Sequence, residues 1–235
     1  KSLQTIKSPV KNLFYKGNLE LLKCQKIAIV GSRKALPYTK QIVAQLSQKL
    51  SNAGVVVVSG GAMGIDGVAH KSSYPNTIAV MANGLDIIYP KVNTDIISKI
   101  YNESGLALSE YKEGIKATRY SFVVRNRIVV ALSDSILIAQ ADLKSGTMRS
   151  AEIAIEQGKK IYVLPHRIGD SSGTQWLIKE NKAEIIYDIE EFIFMFSGAK
   201  SEKITDPFLL FCLKNPDYED IIAFDSVKLF EYELL

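Results

Sequence analysis

The stretch Lys26–Lys34, KIAIVGSRK, decides the fold. Ile27 to Val30 are apolar without alternation, so neither side of the extended chain faces water. Gly31 then ends the run immediately before the cations Arg33 and Lys34. A strand with no wet face belongs in a parallel sheet covered on both sides. A glycine at its carboxyl end lets the chain turn into a helix or approach an anion closely.

Six further short β-branched runs follow, Val55–Val58, Thr77–Met81, Leu106–Ser109, Ser135–Ala139, Lys160–Leu164 and Glu184–Tyr187, and four of the seven are too apolar to have a wet face. The spacers between runs are 18 to 25 residues long, enough for a crossover helix. Their period is helical: Ile42, Val43, Leu46 and Leu50 recur at i, i+1, i+4 and i+8. The alternation predicts an α/β fold, a doubly wound, mostly parallel sheet over residues 1–196.

After Phe196 the pattern stops. Ser197-Gly198-Ala199-Lys200-Ser201 opens a linker over 197–205, and residues 206–235 read as helical. Asp206-Pro207 is a helix start over Phe208–Leu213, Asn215-Pro216 a break, and Asp225–Leu235 a last amphipathic stretch without a stop signal. The first 20 residues read as a basic lead-in whose Phe14 and Tyr15 dock on the sheet.

The composition, 235 residues with 47% hydrophobic and 23% charged, excludes a disordered, collagenous or coiled-coil chain. No uncharged apolar run approaches the roughly 18 residues of a membrane span, and the opening residues do not read as a leader. The expectation is a cytoplasmic protein without a membrane partner. Cys24 and Cys212 offer no disulfide framework and no metal spacing, and read as buried apolar filler. The net charge of +4 is uneven: residues 201–235 carry three Lys against eight acids, leaving 26 basic and 17 acidic side chains in residues 1–200. A basic body favours a polyanionic ligand.

Open parallel sheets bind ligands beyond the carboxyl ends of their strands. Three loops there carry glycine: Gly31-Ser32-Arg33-Lys34, Ser59-Gly60-Gly61-Ala62-Met63-Gly64, and Ala141 through Lys144-Ser145-Gly146. Each precedes a helix, whose N-terminus offers unpaired N–H groups and about half a positive charge. Together they suggest phosphate binding, although any one of them is also an ordinary strand-to-helix turn. None matches G-x-G-x-x-G or G-x-x-x-x-G-K-[ST].

In Arg119–Ser133, Val124, Ile128 and Ala131 form one helical stripe, expected to face the core. Arg119, Phe122 and Asn126 form another, with Arg125 adjacent. Guanidinium for phosphate, a ring for base stacking and an amide for base edges suit a single nucleic-acid strand. Spacing alone is also met, and more readily, by a solvated basic face with Phe122 tucked into the core.

Catalytic machinery is scarce. Asp66 and His70 stand four apart on a helix without a third metal ligand and read as a local hydrogen-bonding pair, and no Ser-His-acid set is evident. Asp134, Asp142 and Glu152 are placed around the third loop, Asp142 as a cap and Glu152 in the first helical turn. No metal and no cofactor is expected.

Gly31-Ser32-Arg33, Ser59 through Asp66, Leu108-Ser109-Glu110, Phe122 through Ile128 and Lys144-Ser145-Gly146-Thr147 together resemble the DprA/Smf family of DNA-processing proteins. Val163-Leu164-Pro165 and Gly173-Thr174 extend the resemblance over roughly residues 12–190. The resemblance implies an extended Rossmann-like domain in a non-enzymatic homodimer that binds and protects single-stranded DNA and helps load the RecA recombinase during natural transformation. Carried over, the contacting positions are Arg33, Lys34, Arg119, Tyr120, Ser121, Phe122, Arg125, Asn126, Lys144, Ser145 and Gly146, and the glycine loops add Gly31, Ser32, Ser59, Gly60, Gly61 and Ala62 to the expected site. His166 stands where the family usually has glycine. Residues 206–235 resemble the helices of a truncated winged helix without its wing. The alternative is a nucleotide phosphoribohydrolase of the lysine-decarboxylase-like fold, faintly echoed by Ser145–Glu152.

Overall fold

Side chains alternate across the central strand β2 (Lys26–Val30), and both sets are buried. Ile27 and Ile29 pack with Val43, Leu46 and Leu50 of helix α1 (Pro37–Asn52), Ile65 and Ala69 of α2 (Ile65–Ser73), and Phe192 and Phe196 of α7 (Ile189–Ser197). Ala28 and Val30 pack on the other face with Ile128, Val129 and Val130 of α4 (Arg119–Leu132) and Met148, Ala151 and Ala154 of α5 (Gly146–Glu156). Each such large aliphatic residue contributes about 1.5–3 kcal/mol when fully buried, which is why the strand tolerates no polar alternate. A third cluster joins Ala79 and Met81 to Ile96, Ile97 and Ile100 of α3 (Thr94–Asn102).

The structure is a computed structural model that describes residues 3–4, 6–102, 104–197 and 207–212. It divides into two units, Lys1–Phe196 and Ser197–Leu235. The first is built on an eight-stranded sheet: β1 (Phe14–Gly17), β2, β3 (Val56–Ser59), β4 (Thr77–Met81), β5 (Leu106–Ser109), β6 (Ser135–Ile138), β7 (Lys160–Val163) and β8 (Glu184–Ile185). The order is β1-β5-β4-β3-β2-β6-β7-β8, with every pair parallel except β1 on β5. From β2 the chain winds outward through β3, β4 and β5, and α4 then carries it back to β6 on the other side of β2. The crevice beyond the carboxyl ends of β2 and β6 is therefore the topological switch point, where such sheets hold ligands. Between β7 and β8 lies α6 (Ser172–Lys179), and in the second unit Pro207–Cys212 forms the helix α8.

The runs read from sequence coincide with β2, β4 and β5 and lie within one or two residues of the others. The lead-in differs: Phe14–Gly17 is an antiparallel edge strand rather than a docked aromatic pair, with Phe14 and Tyr15 both exposed. Cys24 is half-buried rather than core filler, with its Sγ near the Glu20 carbonyl, because it ends a 3-10 turn at the surface. Asp134 lies at the opposite end of the sheet from the third loop, where its Oδ2 accepts from the Lys26 N–H at 2.9 Å. Ser197 ends α7, and α8 begins at Pro207. The remainder of the expected linker, the stretch 213–235 and the comparison with a winged helix lie outside the described residues.

Candidate functional site

At the switch point lies a cleft of about 660 Å³. Backbone hydrogen bonds draw its loops together. The Ser32 N–H donates to the Gln140 carbonyl at 2.9 Å, tying the loop after β2 to the loop after β6. The Ile65 N–H donates to the Ser32 carbonyl at 3.3 Å, tying the start of α2 to the same turn. Gly64 makes that approach possible. Its φ is +79°, and a Cβ there would meet the Arg33 carbonyl oxygen at 2.6 Å.

α4 forms the opposite wall. Thr118 caps it through a reciprocal box: Thr118 Oγ1 accepts from the Ser121 N–H at 3.1 Å, and Ser121 Oγ accepts from the Thr118 N–H at 2.8 Å. This fixes Arg119 at the first turn, exposed and lining the cleft. Phe122, one turn on, is half-buried. The Arg33 guanidinium stands 5.2 Å from its ring centroid and the Tyr89 ring 5.9 Å away at 47°. Arg33 is exposed and gains from the aromatic face while remaining open to an anion.

α5 enters from the loop after β6, with Ser145 as its cap; Ser145 Oγ accepts from the Met148 N–H at 3.4 Å. The first N–H groups of a helix have no intrahelical acceptor. Here they belong to Gly146 and Thr147, which line the cleft. Two helix N-termini and two exposed arginines thus converge on one rim.

The second glycine loop is built differently. Asp66 is buried, and its Oδ2 accepts from the N–H groups of Gly60 at 3.2 Å and Ala62 at 3.3 Å, so these two amides are taken up inside the protein. Arg125, also buried, donates through Nη1 to the carbonyl oxygens of Gly60 and Val80 and through Nε to Asn126 Oδ1 at 3.2 Å. Gly60 must be glycine because the guanidinium lies against the site where a Cβ would project. Burial pushes the Asp66 carboxyl upward, opposed by the Arg125 charge. Burial brings Arg125 down to about 10, opposed by Asp66 and reinforced by Arg33.

Of the residues expected at a binding site, Gly31, Ser32, Arg33, Ala62, Arg119, Phe122, Arg125, Asn126, Ser145 and Gly146 line the cleft. Arg125 does so as a buried girder rather than as part of a solvated stripe. Lys34 and Lys144 are exposed outside it, and Tyr120 is 77% exposed in a neighbouring depression. Ser59, Gly60 and Gly61 are buried, Ser59 Oγ donating to the Ile29 carbonyl at 2.6 Å. Ser121 belongs to the cap.

Tyr89 is the aromatic among the lining residues that sequence reasoning passed over, which also include Thr118 and Ser150. It comes from the long loop after β4, and its available signal was an aromatic residue before a proline beyond a strand's carboxyl end. Asp142 lines the cleft, but Ser145 is the cap. Glu152 is paired with Arg149 at 2.7 Å past the first turn of α5 and does not line the cleft. His70 Nδ1–H donates to Thr77 Oγ1 at 2.7 Å, the Thr77 hydroxyl itself donating to the Val57 carbonyl. Burial first, then the Arg125 charge, lowers the His70 imidazole to about 3. His166 bridges the Leu164 carbonyl at 3.0 Å and Thr39 Oγ1 at 2.9 Å, fastening the loop after β7 to α1 away from the cleft. Among the described residues no group of His, Cys, Asp and Glu is arranged to hold a metal, and no helix is long and apolar enough to cross a membrane.

A family profile described as DNA recombination-mediator protein A matches residues 1–197. DNA processing protein DprA of Streptococcus pneumoniae is 42% identical over 173 residues, 72% of this chain and 61% of that protein. Protein Smf of Escherichia coli is 36% identical over 186 residues, 77% of this chain and 50% of that protein. The chain thus spans between half and two-thirds of the length of these two relatives. The solved DNA processing protein A of Helicobacter pylori, described for a unique single-stranded DNA binding mode, superposes with a TM-score of 0.81. It is 42% identical, with coverage of 83% of this chain and 91% of that one.

Proposed function

We propose a function from one premise: the chain belongs to the DNA recombination-mediator protein A family. It binds single-stranded DNA across the switch-point cleft and acts as a recombination mediator, not as an enzyme. Phosphates lie against Arg33, Arg119 and the leading N–H groups of α5, while Phe122, braced between Arg33 and Tyr89, meets a base. The observation that carries this reading is the convergence of two exposed guanidinium groups and two helix N-termini around one aromatic ring. Guanidinium groups and amides hold a sugar-phosphate backbone without reading its sequence, and a ring stacks on any base. The relative described for single-stranded DNA binding supports the same ligand class.

The finer role follows the family: a cytoplasmic homodimer that protects incoming strands and helps place RecA on them during natural transformation. Lys34 and Lys144 sit at the margins as longer-range attraction, with Ser32, Asn126, Ser145 and Gly146 completing the contact surface.

Fluorescence titration with single and double strands of equal length at two ionic strengths tests the reading. The expected result is preference for the single strand and an affinity falling with salt at about −0.7 in log–log slope per phosphate held. Equal affinity for both forms, or a flat salt dependence, would reject it.

A further inference from the structure

α4 has a second side. Val123 lines the cleft already described and also a second cleft of about 580 Å³ between α4, α5 and the segment around Ile6–Ser8. Tyr120, one turn before Val123 on the same helix face, belongs to this second cleft and is 77% exposed. Its neighbour Arg119 belongs to the first. The two depressions therefore meet along the Arg119–Val123 turn.

The second cleft has the chemistry of a strand path. Its lining joins aliphatic side chains, among them Val124 and Ile153, to Lys7 and Lys159. The Arg127 fork is closed on Glu110, with Nη contacts at 2.8 and 2.6 Å, and so carries no free charge. The Lys159 ammonium donates one proton to the Ser133 carbonyl at 2.7 Å and keeps two for another acceptor. Lys7 and Lys159 against Glu156 leave a net positive cleft. An exposed aromatic ring at the junction, apolar walls and ammonium groups are the elements with which proteins hold successive bases and phosphates of an unpaired strand.

We infer that a single strand held in the first cleft continues over the Tyr120 ring into the second, with phosphates at Lys7 and Lys159. This rests on the single-stranded DNA reading above and adds a second segment to the bound strand. A short homothymidine of about 5 nucleotides fills the first cleft alone, and one of about 15 spans both, within the range of strand lengths such sites cover.

Titration of both lengths across a salt series tests the inference. For the long strand, the double variant Lys7→Gln/Lys159→Gln flattens the log–log slope by about 1.4, whereas the short strand's slope stays at its wild-type value. Tyr120→Ala lowers long-strand affinity about five-fold or more, the lower end of one base stack, and Tyr120→Phe restores it. Glu156→Gln tightens the long strand, a gain that structural damage would not produce. Identical ratios of long-strand to short-strand affinity in all variants and wild type would overturn the inference and leave the second cleft to another ligand, such as a peptide. Failure of the wild-type chain to bind either length would instead reject the single-stranded DNA reading itself, before any variant is compared.

Discussion

The loops after β3 and β6 both carry glycine and both lead into helices, yet one is closed and the other open. In the loop after β3, the amides of Gly60 and Ala62 are occupied by buried Asp66, and the Gly60 carbonyl by buried Arg125. In the loop after β6, Ser145 caps α5 and leaves the leading amides of Gly146 and Thr147 at the cleft. Glycine content therefore does not identify an anion site. What does is whether the protein itself already satisfies the loop's polar groups.

The largest effect that would break this contrast comes from the closed loop. Arg125→Met removes the donor to two carbonyls and the charge opposite Asp66, and chemical denaturation should show a loss of about 3 kcal/mol or more. A stable variant would mean that the girder is dispensable. Gly60→Ala, which drives a Cβ into the same guanidinium, should destabilise in the same direction.

The closed loop also leaves a pH signature. The His70 imidazole is held near 3 in the fold against an ordinary 6.5, so the unfolded chain binds more protons between those values. His70 thus favours the fold fully above about pH 6.5, and that contribution is lost as pH falls toward 3. Asp66, raised above 3.8 by burial, acts in the opposite sense as pH rises past that value. Denaturation midpoints measured from pH 7 downward should fall less steeply in His70→Gln than in the wild type, and parallel curves would exclude His70 as a source of acid sensitivity.

The open side responds in binding rather than stability. Phe122→Ala should weaken single-strand binding by about 1–3 kcal/mol, the value of one base stack, at every salt concentration. If only the salt slope moved, Phe122 would be serving to hold Arg33 rather than a base. Smallest of all, Lys34→Gln and Lys144→Gln lie outside the cleft, and each should shift the salt slope by well under the roughly 0.7 of a direct phosphate contact.

The sheet was legible because strands buried on both faces, such as Ile27–Val30 and Thr77–Met81, cannot alternate with polar residues. β1 was not, because a four-residue edge strand with exposed Phe14 and Tyr15 has no such signature. At the site, Arg33, Arg119 and Phe122 stood next to strand ends or on a single helical stripe and could be collected from spacing. Burial of Arg125 could not: its depth comes from carbonyls contributed by residues 60 and 80, far away in sequence. Tyr89 reaches Phe122 through a long loop that tertiary bonds shape, among them the Gly84 N–H donating to the Ile115 carbonyl at 2.9 Å.

The most direct test joins the two exposed arginines. In Arg33→Gln/Arg119→Gln, the log–log salt slope for single-stranded DNA should flatten by about 1.4 relative to wild type, with the denaturation midpoint unchanged. A wild-type slope in the double variant would place the phosphates elsewhere on the molecule and contradict the cleft as the binding site.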